Sequence, residues 1–505
     1  MKKLLFLSLV QCSIAIYAQS GTEVYLFDLK IKNDTVSYNL TNVSNNKGYD
    51  NQPSFYDDQT IIFSATRNQQ TDIAKYDVAT GSISWVTDTS VGSEYSPLKI
   101  PNKNEISSIR LDTTGLQRLY RYDISTGKSK ELLKDLKVGY HVWYKKNILV
   151  STVLVDDRMD LIVSNLKDKT NHTAQKNVGR SLYKIPNTEL ISYISKENEN
   201  WLIKSMNPIS GEIKEIVTLP KETEDMCWMA DGTILAPKNN IILKFNPKTD
   251  KKWKVLHRFK EKEIYKISRM AISPTGNRMV IVSEDPPAIV VQKQVDSFNE
   301  GNLEAFISCY SEDVLVQNFP NDTSYIGKMK MEKGYQRFMA NNPGAKVEVV
   351  KRIVIGNKVI DEEMVMISGK THQQVALYEI DNGAIISMTF IHDKRVSVNP
   401  EVIVQKQLDA YNARDIEAFL DTYSNNVVVC NFPNKMQFKG IAKMRSSYSD
   451  FFKSTPDLNC IIKNRIIIGN KVIDEEYLTV NGVNFNAVAI YEVENGKIAK
   501  VTFLK

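Results

Sequence analysis

The chain is poor in the residue types that metal and nucleophile chemistry require. Its 505 residues include five histidines and five cysteines, and none of them has the spacing of a zinc site. A GxSxG segment is missing, which argues against the nucleophile elbow of an α/β-hydrolase. The net charge of +6 is small and is concentrated nowhere, which argues against a nucleic-acid footprint. We therefore expect no metal, no cofactor and no nucleic-acid partner.

Long apolar runs are also missing once the N-terminus has passed. No later segment has 18 consecutive apolar residues, so no transmembrane segment is expected. The N-terminus itself combines two lysines, the apolar run Leu4–Val10 and a small residue, Ala18. This pattern predicts a signal peptide at residues 1–18 and an exported protein in the periplasm, on the cell surface or in the medium.

Cysteine pairs with short spacing are missing too. Cys227, Cys309, Cys430 and Cys460 remain after the predicted cleavage and lie far apart, with no CxxC. Export permits disulfides, and a Cys430–Cys460 bond is one alternative. Buried free thiols are the alternative that the wide spacing favours.

Residues 22–285 contain a repeat of short alternating strands, typical of β-structure. The segments "IAKYDVATGSISWVT" (73–87) and "LYRYDISTGKSKELL" (119–133) show the unit, in which an Asp or Asn marks the turn. The turn positions recur about every 40 residues, which predicts six propeller blades of about four strands. They are Asp28, Asp77, Asp123, Asn165, Asn207 and Asn246.

The two ends of this repeat are complementary. The first unit lacks its opening strands, and two extra strands follow the last unit, in "ISRMAISPTGNRMVIVSE". We predict that these strands complete the first blade and close the propeller. The segment resembles the blade motif of TolB-like propellers, with Thr275 at the place of the usual Asp. The resemblance implies a fold, since propellers serve both as binding platforms and as enzyme scaffolds.

The second half of the chain is one domain written twice. Residues 288–391 and 401–504 align without a gap at an offset of 113, so the domains are residues 288–391 and 401–505, with residues 392–400 as a linker. Each copy has the pattern helix, short helix, strand, helix and then long strands that form hairpins. Three helices against a curved antiparallel sheet predict an α+β cone (a cystatin-like roll) with an internal cavity. The pattern resembles the nuclear transport factor 2-like superfamily, in its SnoaL-like and ketosteroid-isomerase-like branch.

The resemblance implies positions for three catalytic groups. Isomerases of this branch use a Tyr and a protonated Asp as an oxyanion hole, and a second Asp as base. The Tyr position is Gln294 in the first copy and Gln407 in the second, and the base position is near Asn318 and Asn431. No carboxylate stands at residues 373–376 or 486–489. Because an amide cannot serve as a general base, the substitutions disfavour isomerase activity.

Polar groups of the cone helices and strands are candidates for contacting a ligand. Glutamine can still donate a hydrogen bond to a neutral molecule, and tyrosines are core aromatics or cavity groups. The predicted ligand-pocket residues are Gln294, Tyr310, Asn318 and Tyr335 in the first cone, and Gln407, Tyr423, Asn431 and Tyr448 in the second.

The segment "IGNKVIDEE" occurs identically in both copies and ends in three carboxylates. Because strand side chains alternate between faces, Asp361 and Glu363 share one face and Glu362 lies on the other. At least one carboxylate per copy should therefore enter the cone. Weak candidates for a general base are Glu362, Glu363, Glu475 and Glu476. The alternative is that these acids pair with Lys351, Arg352 and Arg465 at the solvent face.

The leading hypothesis from the sequence is an exported binding protein. The propeller would contact an envelope protein or polymer, and the cones would hold a small apolar ligand or pair with each other as in a dimer. The rival is an isomerase, cyclase or hydrolase that uses the strand carboxylates as base.

Overall fold

The computed structural model describes residues 21–504, apart from residues 33–34, 38, 47, 69, 261–262 and 395–397. The predicted signal peptide at residues 1–18 lies outside the described residues, as does the middle of the predicted linker. The chain forms two compact units, and the boundary falls between Pro286 and Pro287.

The first unit is a propeller, as predicted. The described residues contain six four-stranded sheets, and five of these use four successive strands. The first two of the five are β5–β8 (Asp50–Asp57, Thr60–Arg67, Gln70–Asp77, Ser82–Trp85) and β9–β12 (Gly92–Lys99, Glu105–Asp112, Gln117–Asp123, Ser129–Leu133). The next is β13–β16 (Val138–Lys145, Ile148–Val155, Arg158–Asn165, Thr170–Gln175). The last two are β17–β20 (Val178–Lys184, Ile191–Ser195, Leu202–Met206, Ile213–Thr218) and β21–β24 (Cys227–Trp228, Ile234–Lys238, Ile241–Phe245, Lys254–Arg258).

The remaining blade joins both ends of the unit. Its order is β25-β26-β1-β4, and the register pairs Thr22 with Glu284. The predicted closure is therefore confirmed, and it removes two open sheet edges. The strands are β25 (Lys266–Ile272), β26 (Arg278–Glu284), β1 (Thr22–Asp28) and β4 (Thr41–Asn42), and a small hairpin of β2 (Lys30–Lys32) and β3 (Thr35–Ser37) lies between β1 and β4.

The repeated Asp or Asn has a local structural role. Asp77 Oδ1 accepts the backbone N–H of Thr80 at 2.8 Å, and Asp123 Oδ1 accepts that of Thr126 at 2.8 Å. Side chains of this type stabilise the turn by bonding to backbone two or three residues ahead. The recurrence of these residues is thus explained by blade geometry.

The second unit contains the two predicted cones. The first comprises α1 (Pro287–Glu300), α2 (Leu303–Ser308), β27 (Tyr310–Asn318), β28 (Asp322–Ile326), α3 (Lys328–Asn341), β29 (Lys346–Ile355), β30 (Lys358–Ile367), β31 (Lys370–Asp381) and β32 (Ala384–Ile391). The second comprises α4 (Pro400–Ala413), α5 (Ile416–Asp421), β33 (Tyr423–Asn431), β34 (Lys435–Lys439), α6 (Ile441–Ser454), β35 (Asn459–Ile468), β36 (Lys471–Val480), β37 (Val483–Glu494) and β38 (Lys497–Leu504).

Each cone sheet has six strands, in the order β28-β27-β32-β31-β30-β29 and its equivalent. The prediction of a wholly antiparallel sheet is wrong, because β27 and β32 run parallel. The reason is the connection: β32 returns to β27 through the rest of the domain and not through a hairpin. The hairpin of β29 and β30 turns at Gly356-Asn357, where Ile355 pairs with Lys358.

The two cones pack against each other through the outer faces of their sheets. One continuous apolar cluster contains buried residues of both cones, and every member has its partner 113 positions away. Such reciprocity is the mark of a two-fold dimer interface. The paired members are Ile353 and Ile466, Ile355 and Ile468, Ile360 and Ile473, Val375 and Val488, Leu377 and Ile490, and Ile391 and Leu504.

Polar contacts surround this cluster. Gln373 Nε2 donates to the backbone oxygen of Ile467 at 2.9 Å, and Lys351 Nζ donates to that of Arg465 at 2.8 Å.

The four cysteines of the described residues are free thiols, and Cys227, Cys430 and Cys460 among them are buried.

Candidate functional site

The first cone encloses a cavity of about 300 Å³ between its helices and the inner face of its sheet. Most of the wall is apolar, and polar groups enter at a few points only, as is usual for small-molecule sites. The apolar lining includes Val295, Phe298, Phe338, Val365, Ile367 and Met388. The polar lining includes Gln294, Tyr325, Tyr335, Glu363, Gln374 and Tyr378.

Glu363 is the carboxylate that reaches this cavity. It lies on β30 with 2% of its surface exposed. Tyr378 Oη donates to its Oε1 at 2.9 Å, and Gln374 Nε2 donates to its Oε2 at 2.8 Å. Burial, and next the nearby charge of Asp361, raise the pKa of Glu363 to about 7. At neutral pH the group is therefore able to accept or to donate a proton.

Asp361 lies on the same strand face but is held by another side chain. Arg352 binds it with two hydrogen bonds of 2.7 and 2.6 Å. Arg352 Nη1 also donates to the backbone oxygen of Ala288 and to Gln292 on α1. The Arg352–Asp361 ion pair thus joins the sheet to the first helix, and both carboxylate oxygens of Asp361 are bound by Arg352. The expectation that Arg352 pairs at the solvent face is wrong, because Asp361 is fully buried inside the cone.

Glu362 points to the opposite side of the sheet. It accepts a hydrogen bond from Gln373 Nε2 at 2.8 Å and lies 3.7 Å from Lys351 Nζ. This side of the sheet faces the other cone. The three acids of this strand therefore have different surroundings: Asp361 is in a buried ion pair, Glu363 lines the cavity and Glu362 lies on the outer face. The alternation of strand side chains between two faces explains this arrangement.

Gln294 brings a second polar group to the cavity from α1. It is 7% exposed and lines the cavity, and its Oε1 atom is buried without a hydrogen-bond partner among the described residues. Buried polar atoms are nearly always paired, and an unpaired acceptor costs about 1–3 kcal/mol. Its position next to an apolar cavity indicates an acceptor that a ligand can satisfy.

The other predicted residues of the first cone have different places. Tyr335 lines the cavity, where burial raises its pKa, and its ring lies 4.4 Å from that of Phe306. Tyr310 is fully buried in the core, with its hydroxyl 3.8 Å from Met388 Sδ. Asn318 lies at the end of β27, outside the lining residues, and its Oδ1 contacts His392 Nε2 at 2.8 Å.

Gln374 and Tyr378 are cavity residues that the sequence interpretation did not propose. Both lie on β31, two pleats apart, and the register places Gln374 opposite Glu363. The signal was present in the hairpin: once β30 turns back at residues 368–369, the residues with even numbers on β31 share the face of Glu363.

The second cone repeats the frame of the first. Arg465 binds Asp474 through two hydrogen bonds of 2.7 Å, and Tyr491 Oη donates to Glu476 at 2.9 Å. Burial raises the pKa of Glu476 to about 7. Glu475 lies on the outer face, where Asn464 donates to it. The carboxylates of both copies are thus arranged in the same way.

The interior of the second cone is different. Phe452 stands where the first cone has Met339, and its ring lies 5.6 Å from Tyr411, 5.4 Å from Phe419 and 5.9 Å from Tyr448. Tyr411 itself replaces Phe298. Phe452 therefore adds a ring to the aromatic core of the second cone, where the first cone has the thioether of Met339.

The polar groups of the second cone are also paired differently. Ala487 replaces Gln374, so Glu476 lacks the second amide donor. Gln407 is 6% exposed and lies near the hydroxyl of Tyr423, where it acts against the burial that raises the pKa of Tyr423. Asn431 ends β33 as Asn318 ends β27.

Comparisons with known proteins agree with this architecture. Residues 291–388 and 404–501 match the family model described as SnoaL-like domain, so the resemblance of both cones to that family is confirmed. No curated protein matches the chain.

Solved structures resemble each unit. A cystatin-fold protein from Novosphingobium aromaticivorans is 21% identical, covers 22% of this chain and is itself covered fully, with a TM-score of 0.21. A TolB-type protein from Agrobacterium tumefaciens is 11% identical, with 53% of this chain and 99% of that chain covered and a TM-score of 0.44. An oligogalacturonate lyase from Vibrio parahaemolyticus is 13% identical, with 53% and 91% covered and a TM-score of 0.37. At these values the likenesses concern fold alone.

Over the described residues, none of the helices has the length and apolar character that crossing a membrane requires. Within the same residues, no group of three or more His, Cys, Asp or Glu side chains is arranged to hold a metal ion.

Proposed function

We propose that this protein is an exported binding protein whose first cone holds a small, largely apolar ligand. The observation that carries the proposal is the cavity of about 300 Å³. The unpaired Oε1 atom of Gln294 and the buried carboxyl group of Glu363 belong to residues that line it. The second cone has the same frame with a different interior, and serves as a fixed partner for the first.

The walls of the cavity define the chemistry of the ligand. Aromatic and aliphatic side chains form most of the lining, which favours a neutral molecule with one or two rings. The unpaired Oε1 of Gln294 requires a donor, such as a hydroxyl or an N–H group. Glu363, with a pKa of about 7, offers a second polar contact that can act as donor or acceptor.

The pairing of the cones supports the role of the second copy. Twelve buried apolar residues form the shared cluster, and burial of a Val, Leu or Ile side chain contributes about 1.5–3 kcal/mol. A covalent link keeps the two copies at high effective concentration. The chain therefore carries its own dimer partner.

Two parts of the proposal rest on the sequence and on the type of fold. The N-terminal pattern at residues 1–18 supports export, and N-terminal sequencing of the mature protein from a fractionated culture would test it. A propeller with many loops supports a surface for an envelope protein or polymer, since such folds commonly act as binding platforms.

The cavity is tested with N-phenyl-1-naphthylamine, a neutral aromatic amine with one N–H group that becomes fluorescent in apolar surroundings. We expect one saturable site per full-length chain. The double variant Gly334→Ser/Val365→Leu places two residues of the second cone at positions that line the cavity of the first, and should weaken the probe at least tenfold. Gln294→Leu should weaken it by up to about tenfold, the value of one hydrogen bond.

The matched control is Leu478→Ile, a substitution of equal volume at the position of the second cone that corresponds to Val365. It should leave the affinity for the probe unchanged. Absence of saturable binding to the unaltered chain, or equal binding by the double variant, would show that the cavity is not a ligand site.

A second candidate function is an isomerase, cyclase or hydrolase that uses Glu363 as its base. The pKa of about 7 favours this alternative, because a general base works best when its pKa is near the working pH. A cyclic β,γ-unsaturated ketone would test the isomerase case through the absorbance of its conjugated product. Turnover that Glu363→Gln abolishes while binding persists would establish catalysis.

A further inference from the structure

The channel of the propeller contains a second cavity, of about 160 Å³. Its lining comes from the innermost strands of the blades, including β13, β17 and β25, and combines apolar side chains with a polar cluster. The charged members are Arg180, Arg269 and Asp225, and Tyr140 lies beside them.

Bulges aim these side chains at the channel. The register of β13 shifts between Val138 and Tyr140, that of β17 between Val178 and Leu182, and that of β25 between Ile267 and Arg269. A bulge reorients the residue that follows or occupies it and is common beside functional sites. Three blades thus use the same device at the place where the polar cluster lies.

The two guanidinium groups have few hydrogen-bond partners. Arg180 Nη2 donates to the backbone oxygen of Ser268 at 3.0 Å, and Arg269 Nη2 donates to Tyr140 Oη at 3.1 Å. A guanidinium carries five N–H donors. The Nε atom of Arg180 is buried without a hydrogen-bond acceptor among the described residues. Most donors of the pair therefore remain available to a ligand.

The nearby carboxylates do not neutralise the cluster. Asp225 lies 3.8 Å from Arg269 Nη1 and accepts the backbone N–H of Met270 at 2.8 Å. Glu224 lies 3.7 Å from Arg180 Nε and is shared with Lys196, at 3.2 Å. Three positive groups thus face two carboxylates.

The pKa of Tyr140 indicates that the electrostatic potential near the two arginines is positive. Burial alone would raise its pKa, but the charges of Arg269 and Arg180 outweigh burial and lower it. The pKa of Arg180 is lowered by burial and then by the charge of Arg269. The two guanidinium groups thus repel each other, and an anion between them would relieve that repulsion.

We propose that the propeller channel binds a small carboxylate-bearing anion between Arg180 and Arg269. The planar guanidinium suits the two oxygens of a carboxylate. Pro53, Pro97, Leu98, Val142 and Leu182 also line the cavity, which favours an organic anion over inorganic phosphate. The site is independent of the cone cavity, which prefers a neutral molecule.

The test is titration calorimetry of the full-length chain with succinate, with inorganic phosphate, and with sodium chloride at matched ionic strength. We expect saturable binding of succinate, at least tenfold weaker binding of phosphate, and none of chloride. Arg180→Met should weaken succinate at least tenfold, and Arg180→Lys by less. Circular dichroism would establish that each variant is folded.

Two controls separate this site from other effects. Arg121→Met alters a propeller arginine of similar exposure that pairs with Glu105 outside the channel, and should leave succinate binding unchanged. The cone-cavity variant Gly334→Ser/Val365→Leu should also leave succinate binding unchanged, whether or not it weakens binding of the fluorescent probe to the cone. No saturable succinate binding, equal binding by folded Arg180→Met, or tighter binding of phosphate would overturn the proposal.

Discussion

The two cones have one frame and two interiors. Both keep the buried Arg–Asp pair, the Tyr–Glu hydrogen bond and the outer face on which they meet. They differ in their cores, where Phe452 replaces Met339 and Tyr411 replaces Phe298, a residue that lines the cavity of the first cone. The comparison teaches which residues hold the fold and which define a binding site. Residues that are identical in the two cones maintain the fold, and residues that differ between them determine which ligand a cone can bind.

The carboxyl groups show why identity alone does not identify a site. Glu363 and Glu476 have the same raised pKa of about 7, and each accepts a hydrogen bond from the equivalent tyrosine of its own cone. Glu363 alone has Gln374 as a second donor. In the first cone the Oε1 atom of Gln294 is also buried without a partner among the described residues, whereas Gln407 of the second cone lies near the hydroxyl of Tyr423. Function is therefore read from the neighbours of the repeated carboxylate.

Removal of an arginine should have the largest effect and should be equal in both cones. Arg352→Met or Arg465→Met would leave a buried aspartate without its partner, at a cost of about 3–5 kcal/mol. Calorimetric unfolding of the full chain would measure the loss. The double variant Arg352→Met/Asp361→Leu should recover most of it. A cost in one cone alone would show that the frames are not equivalent.

Substitution of the glutamates should separate stability from binding. The folded-state pKa of about 7 exceeds the usual 4.5, so the folded protein retains protons that the unfolded chain has lost. The stability contributed by each group is then present below pH 4.5 and is lost as the pH rises to 7. Glu363→Gln and Glu476→Gln should each raise the free energy of unfolding at pH 8, by on the order of 3 kcal/mol, and have little effect at pH 4.

The same two variants should differ in their affinity for N-phenyl-1-naphthylamine. Glu363→Gln changes a cavity wall and should alter the affinity, whereas Glu476→Gln should not. Equal effects on the probe would mean that the two interiors are equivalent, and no stabilisation at pH 8 would mean that the carboxyls are not buried as described.

Gly334 provides the smallest test. It lies within α3 beside the cavity, and a Cβ added there meets no atom within 4 Å. Gly334→Ala should therefore stabilise the first cone by about 0.5–1 kcal/mol through helix propensity. The counterpart Ser447→Ala in α6 should contribute about 0.5 kcal/mol or less. A destabilising Gly334→Ala, measured by thermal unfolding, would show that the helix approaches the sheet more closely there.

The sequence was sufficient for the architecture, because its signals are local. Alternating residues and Asx turns predicted the blades, and the repeat at an offset of 113 predicted two equal cones. The parallel pairing of β27 with β32 was missed, because a crossover between distant strands leaves no local mark. The placement of the Arg352–Asp361 pair was missed for a similar reason: strand alternation gives two faces and does not tell which face is inside.

The candidate site was predictable in part. Gln294, Tyr335 and Glu363 were proposed, and the structure places all three at the cavity. Gln374 and Tyr378 required the register of β31 against β30. The contrast between Phe452 and Met339 required the positions of several rings in space, which no pattern along a single strand or helix provides.

Closure of the propeller has a consequence for the order of events during synthesis. β1 lies at the start of the propeller, and its partner β26 is the last strand of the propeller to be synthesised. The first blade therefore cannot be completed, and its strand edges remain unpaired, until the whole unit has been synthesised. Contacts between such distant segments slow folding, and exposed edges favour aggregation in the meantime. The first blade is therefore the part of this unit that stays open to aggregation longest, until its two ends have met.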